Sequence, residues 1–313
     1  MMTTKNQRSN EEIRATITGI RGRYVATKRD RDLATALDRL IAIDEDTGNA
    51  EPVRFTSTGE TRGIIVVDGA GGGKTSLVKR GLAAQPGLEA TDATRPVVSI
   101  TVPNPATLKS VAQAALKATG YPVGEQRLTV WGMWELLRER FRMLGTVVFW
   151  IDEAHDLFPH GSKSEAPHIL KTFKSLMQGD GAVIVILSGV ETLWHSISFD
   201  HQVQRRYSKF ELPPVTASTD SKLIWKLLVS FCDRVGLESP ERGDLLERII
   251  HAGRKRFGLC IEQMISAIEI ALLRGDTKLD ASHFADAFFA QEACSINQNV
   301  FLAPRWSSID LIA

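Results

Sequence analysis

An α/β fold with a smaller all-α domain behind it is what this sequence predicts, and three observations carry the prediction. Short β-branched apolar runs recur between residues 63 and 212, and longer segments of helical periodicity separate them, the alternation of a layered α/β sandwich. Most of these runs are continuously apolar rather than alternating, as in strands buried on both faces of a parallel sheet. After Pro213-Pro214 the strand signal stops and only helical periodicity follows.

The elements follow in order. The first segment is basic: Arg14, Arg21, Arg23, Lys28, Arg29 and Arg31 are opposed between them only by Asp30, a pattern that reads either as a solvated helix face or as a nucleic-acid patch. In DLATALDRLIAI, Leu33, Ala36, Leu37 and Leu40 recur at helical spacing and predict an amphipathic helix. Asp44 to Thr61 is polar and carries Gly48, Pro52 and Gly59, so a loop is expected. Five strands of a parallel sheet are expected at Gly63–Val67, Val97–Val102, Thr146–Ile151, Ala182–Leu187 and Lys209–Leu212. Helices are expected between them at Thr75–Ala84, Ala106–Ala118, Val130–Leu144 and Pro167–Met177. Beyond the prolines, Ser221–Val235, Arg242–Ala252, Leu259–Leu273 and Ala281–Ala290 read as helices. The division predicted is a basic helical segment over 1–50, an α/β core over 51–214, and a helical lid with a C-terminal tail over 215–313. In that tail, Phe301, Leu302, Trp306, Leu311 and Ile312 either pack on the domain or dock a partner.

Composition bounds the function classes. The 313 residues carry 38 Lys plus Arg against 37 Asp plus Glu, a formal charge of +1, with 43% hydrophobic and 24% charged residues. That is a globular average and excludes disordered, collagenous and coiled-coil extremes. Near-neutrality argues against a protein coated evenly in positive charge but leaves local basic stripes open. Cys232, Cys260 and Cys294 are odd in number and lack C-x-x-C spacing, so neither a disulfide framework nor a zinc site is expected and a reducing, cytoplasmic compartment is. The polar start MMTTKNQRSN and apolar runs no longer than AVIVIL-type stretches give no reason to expect a signal segment or a membrane partner.

The sharpest motif is VVDGAGGGKTSLVKR, which follows the first core strand and opens a helix. Glycines let backbone N–H groups turn inward around phosphates, and the helix N-terminus adds a favourable dipole. Gly69, Ala70, Gly71, Gly72, Gly73, Lys74, Thr75 and Ser76 are the candidate cradle, with Lys74 reaching the β- and γ-phosphates and the Thr75 hydroxyl holding Mg²⁺. The strict motif begins with glycine where this chain has Asp68, a carboxylate that weakens nucleotide binding unless it points away.

A second half of such a site is an acidic residue ending another buried strand, and VVFWIDEAHDLF supplies Asp152 and Glu153. Asp152 is expected in the Mg²⁺ shell and Glu153 to orient and deprotonate the attacking water. The two motifs together imply phosphoryl transfer on ATP. The letters D-E-A-H at Asp152 to His155 invite a helicase reading, but such helicases need a second ATPase domain for which the remaining helical chain is too short.

These residues resemble the AAA+ superfamily of P-loop NTPases. The resemblance implies a sensor residue that helps position the attacking water at the end of the fourth strand, here Ser188, and an arginine finger acting on a neighbouring subunit, here Arg205 or Arg206, of which Arg206-Tyr207 matches the family's arginine-aromatic step better. It also implies a lid cation among Arg254, Lys255 and Arg256, with Arg256 preferred. Within the superfamily the chain resembles TniB-like transposition ATPases, and more distantly MuB and TnsC. That likeness rests on the basic Tyr24-containing stretch, on Pro103, Pro105, Gly120, Tyr121 and Pro122 after the P-loop helix, and on Asp200, Gln202, Arg205, Arg206, Leu212 and Pro213. It covers roughly Arg14 to Leu302, with departures at Asp68 and at NQNVFL near the C-terminus, where the family tends toward Asn-Pro-Phe.

The resemblance implies ATP-dependent self-association into a ring or helical oligomer on double-stranded DNA, with a transposase or another transposition protein recruited there. Such binding tracks phosphates, and the candidate clusters are Arg14–Arg31 and Arg254–Arg256, with Lys109, Lys117, Lys163, Lys171 and Lys174 as further cations. Two other readings stand beside it: a soluble AAA+ regulator of a secretion or signalling complex, and a replication loader.

Overall fold

The computed structural model describes residues 8–122, 128–158, 166–198 and 204–311. It divides the chain into two compact units, one made of Met1–Val25, Gly71–Gly73 and Pro213–Ala313, the other of Ala26–Ala70 and Lys74–Leu212.

The α/β unit is built on a five-stranded parallel sheet of β3 (Gly63–Val67), β4 (Val97–Thr101), β5 (Val148–Asp152), β6 (Ile184–Gly189) and β7 (Tyr207–Glu211), in the order β4-β5-β6-β3-β7. Side chains alternate between faces along a strand, and here both faces are covered. Ile64, Val66, Val148, Trp150, Ile184 and Ile186 pack with Leu33 and Leu37 of α2 (Lys28–Asp38) and with Leu77, Val78 and Leu82 of α3 (Lys74–Ala83). Their neighbours Ile65, Val67, Phe149, Ile151, Val185 and Leu187 face the opposite layer. There they meet α4 (Leu108–Ala118), α5 (Val130–Met143), α6 (Ala166–Leu176) and α7 (Thr192–Ser198). This double burial explains why the strands read as continuous apolar runs.

Several expectations change in this unit: β4 stops at Thr101 rather than Val102, β5 runs Val148–Asp152 rather than Thr146–Ile151, and β7 runs Tyr207–Glu211 rather than Lys209–Leu212. The helix predicted through Ile43 stops at Asp38, and Ile41–Ile43 forms β1, paired antiparallel with β2 (Ala50–Pro52). The segment from Asp44, expected as loop, therefore begins as a hairpin, its turn closed by the Asp44 carboxylate accepting from the Thr47 N–H at 2.7 Å and the Asp46 N–H at 3.0 Å. The run AVIVIL enters the ladder only at Ile184, because the N–H groups of Ala182 and Val183 donate to the carbonyls of Gly179 and Leu176 instead. Helix α7, without a counterpart among the expected helices, follows β6 directly.

The helical unit contains α8 (Ala217–Val235), α9 (Leu245–Ala252), α10 (Phe257–Arg274) and α11 (Ala281–Glu292). It also contains α1 (Asn10–Arg21), whose Ile13, Ile17 and Ile20 lie in the core of this unit with Leu228, Phe231, Ile268 and Phe288. The first fifty residues are thus shared out rather than grouped: α1 belongs with the C-terminal helices and α2 with the sheet. A Ser9 capping box starts α1, and an Arg21–Glu262 ion pair at 2.6 Å sits near its end. In the tail Val300, Phe301 and Ala303 are buried, and Arg248 donates to the carbonyls of Val300 and Ala303 at 2.6 and 3.1 Å. Trp306, Ile309 and Leu311 pack against the same core. Among the described residues no helix is long and apolar enough to cross a membrane.

Candidate nucleotide site

The loop from β3 to α3 runs from Asp68 to Gly73. Gly71 and Gly73 take φ of 75° and 93°, in the region where a Cβ is strained, so these two positions require glycine. Lys74, the first residue of α3, is 6% exposed and donates from Nζ to the carbonyls of Asp68 and Gly69 at 3.0 and 2.9 Å. Asp68 turns its carboxylate onto the loop itself, where Oδ1 accepts the Gly69 N–H at 2.7 Å. Gly69 and Ala70 lie at the loop's start, Gly72 is buried, and Thr75 and Ser76 occupy the exposed first turn of α3. A helix opening here turns its first-turn N–H groups and positive dipole end toward an anion.

Strand parity brings the second motif to the same side. Asp152 ends β5 two residues beyond Trp150, so both belong to the face that meets α3. The Thr75 hydroxyl donates to Asp152 Oδ2 at 2.6 Å. The other oxygen, Oδ1, accepts from the Ser188 hydroxyl at 2.5 Å and from the Glu153 N–H at 3.1 Å. Ser188, fully buried near the end of β6, in turn accepts the indole N–H of Trp150 at 2.8 Å. Glu153 has φ 53°, uncommon for a residue with a side chain, and its Oε2 stands 3.3 Å from His155 Nδ1.

The donor set suits a hard divalent cation. Thr75 Oγ1 and Asp152 Oδ2 are an all-oxygen pair on rigid elements, and Mg²⁺ is held through one or two protein oxygens with phosphates and waters completing six. Among the described residues no group of three or more His, Cys, Asp or Glu is placed to hold a metal alone.

The arginines divide sharply. Arg206, one candidate for a finger reaching another subunit, is 3% exposed and forms an ion pair with Glu60, which also accepts from Gln178 Nε2 at 3.1 Å. Burial raises the Glu60 carboxyl, but the hydrogen bonds of Gln178 and Arg206 and the charges of Arg206 and Arg205 outweigh it and hold the group below its ordinary range. A side chain committed inside its own unit cannot reach a neighbour, so Arg206 is structural here. Arg205 beside it is exposed. Within the helical unit Arg254 is bound to both oxygens of Glu292 at 3.0 Å, Lys255 is exposed, and Arg256 caps the start of α10 half-buried. Gly258 approaches Gly71 so closely that a Cβ on it would stand 2.2 Å from the Gly71 carbonyl oxygen. Lys109, Lys117 and Lys171 are exposed and Lys174 is half-buried; Lys163, Asp200 and Gln202 lie outside the described residues.

Three residues escaped the sequence reading: Trp150, Glu60 and Gly258. Only the first left a usable signal, because a residue two before the strand-ending Asp must share its face. The other two depend on contacts between segments far apart in the chain.

A family model described as TniB, Bacterial TniB protein, matches residues 51–217, more than half of the chain. No curated protein matches in sequence. Among solved structures, Cdc6p from Pyrobaculum aerophilum is similar at a TM-score of 0.60 and 16% identity, covering 91% of this chain and 76% of that one. The ORC1 protein of Aeropyrum pernix, in complex with DNA, gives 0.57 and 17%, covering 87% and 69%. Drosophila ORC bound to DNA gives 0.55 and 13%, covering 95% and 71%. These likenesses show the fold, an α/β layer structure on a parallel five-stranded sheet.

Proposed function

The chain belongs to the TniB family, and from that premise we propose that it is an ATP-switched transposition protein that oligomerises on double-stranded DNA and recruits or activates a transposase there. The P-loop ATPase assignment rests on family and fold together. The observation that carries the reading is the meeting of the two motifs, with the Thr75 hydroxyl 2.6 Å from Asp152 Oδ2 at the opening of α3.

In this reading the amides from Gly69 to Gly73 and the first turn at Thr75 and Ser76 cradle the phosphates, and Lys74 exchanges its loop carbonyls for phosphate oxygens. Thr75 and Asp152 would hold Mg²⁺, which would supply charge that neutralises the phosphates. Glu153 orients the attacking water and takes its proton. Arg205, exposed at the approach to β7, acts on the nucleotide of an adjacent subunit, and Arg256 of the helical unit responds to the nucleotide bound by its own chain. Two of the similar structures are described as DNA-bound, which supports DNA as the partner.

The test is binding to random double-stranded DNA with and without ATP. The unmodified chain binds only with ATP, Lys74→Ala loses binding, and Glu153→Gln keeps the ATP-bound assembly while hydrolysis falls roughly 100-fold or more, the size of a lost general base. Absence of nucleotide-dependent DNA binding at low salt sinks the proposal.

A further inference from the structure

The strand-end serine has a hydrogen-bond assignment that leaves its hydroxyl a single use. Ser188 is fully buried, and a hydroxyl carries one donor and two acceptor sites. Its oxygen accepts the Trp150 indole N–H at 2.8 Å, which fixes the rotor, and its proton goes to Asp152 Oδ1 at 2.5 Å. A buried indole N–H needs a partner, and Trp150 is 6% exposed. The same Asp152 oxygen takes the Glu153 N–H at 3.1 Å. Oδ1 is thereby occupied twice from one side, and Oδ2 is the oxygen turned to Thr75.

We propose that Trp150 and Ser188 form a relay that positions Asp152, presenting Oδ2 and not Oδ1 to the cation of the Mg²⁺-nucleotide complex. Both are positioning residues, whose effect passes through the Asp152 carboxylate. The proposal rests on the nucleotide-site reading above and sharpens it, since it withdraws Ser188 from the role of aligning the attacking water. It also gives a reason for an aromatic residue with an N–H at position 150, where Phe would fill the same apolar layer.

Outer hydrogen bonds to a metal ligand are commonly worth 10–100-fold in metal affinity. The experiment measures Mn²⁺ binding to the ADP complex by electron paramagnetic resonance, for the full chain and for Trp150→Phe and Ser188→Ala, together with ADP affinity in EDTA and thermal melting. The expected result is Mn²⁺ affinity weaker by about 10-fold in both variants, with metal-free ADP affinity unchanged and hydrolysis largely restored at high Mg²⁺. Ser188→Ala removes the relay with little change in core volume, so it decides the matter if Trp150→Phe does not fold. Unchanged Mn²⁺ affinity in Ser188→Ala with a loss of kcat at every Mg²⁺ concentration overturns the relay and returns Ser188 to the water. Failure of the unmodified chain to bind Mn²⁺ with ADP instead overturns the nucleotide site, and the relay with it.

Discussion

Arg205 and Arg206 are neighbours in sequence with opposite surroundings, and the arginine-aromatic step that favoured Arg206 picked the side chain that the structure buries. Arg206 is closed in with Glu60, whose side chain is 18% exposed, while Arg205 faces solvent. Removing one partner of a buried ion pair leaves the other charge uncompensated, at a cost of about 3 kcal/mol. Arg206→Ala is therefore expected to lower stability by about that amount near pH 7, measured by urea unfolding. The effect has a pH window. Because Glu60 is held below its ordinary value of 4.5, its contribution is complete above that value and is lost as pH falls through the lowered one. The gap between Arg206→Ala and the unmodified chain should narrow as pH falls below the ordinary carboxylate range. Arg205→Ala is expected to leave stability within about 0.5 kcal/mol and to slow hydrolysis only in the assembled state. An Arg205→Ala chain as active as the original, at concentrations that sustain assembly, removes it as the group acting across subunits.

At the scale of elements, the buried strands and the helices after Pro213-Pro214 were legible because long runs with one period carry their own signal. β3 was readable to the residue, from Gly63 to Val67. The β1–β2 hairpin was not, since three-residue strands around an Asx-type turn hold too few apolar positions to show a period. The allegiance of α1 was also hidden: its apolar positions Ile13, Ile17 and Ile20 say that one face is buried but not which body buries it. Of the site, the P-loop and the Asp-Glu pair were visible as motifs, whereas the hydrogen bonds joining Thr75, Asp152, Ser188 and Trp150 needed the strand register. The packing of α1 makes a contrast that circular dichroism can check. Ile17→Ala, at a position 2% exposed, should cost about 3 kcal/mol through lost burial and the cavity left behind. Arg21→Ala breaks an ion pair whose partners are 46% and 42% exposed and should cost under about 1 kcal/mol. Equal effects of the two would mean that α1 is held by charge and not by its apolar face.

For the whole molecule, a formal charge of +1 constrains how the proposed DNA binding would have to work. A chain this near neutrality has little net attraction to draw it onto a polyanion, so affinity must come from local cations placed against phosphates and summed over subunits of an assembly. Within the basic N-terminal stretch Arg14, Arg21, Arg23, Lys28 and Arg31 are all exposed, and of these Arg21 is engaged with Glu262 at 2.6 Å. Each phosphate neutralised on duplex DNA contributes about 0.9 to the slope of log affinity against log salt. Replacing Arg14, Arg23, Lys28 and Arg31 with Ala should therefore flatten that slope by roughly one for each phosphate that is no longer neutralised. ATP-dependent binding to random duplex should weaken with it, and ATP hydrolysis without DNA should stay unchanged. Arg21→Ala, by the same argument, should leave the slope where it is. A quadruple variant that keeps the full slope moves the DNA-facing surface elsewhere, to exposed cations of the α/β unit such as Lys109 and Lys171, and the same salt titration on those variants then locates it.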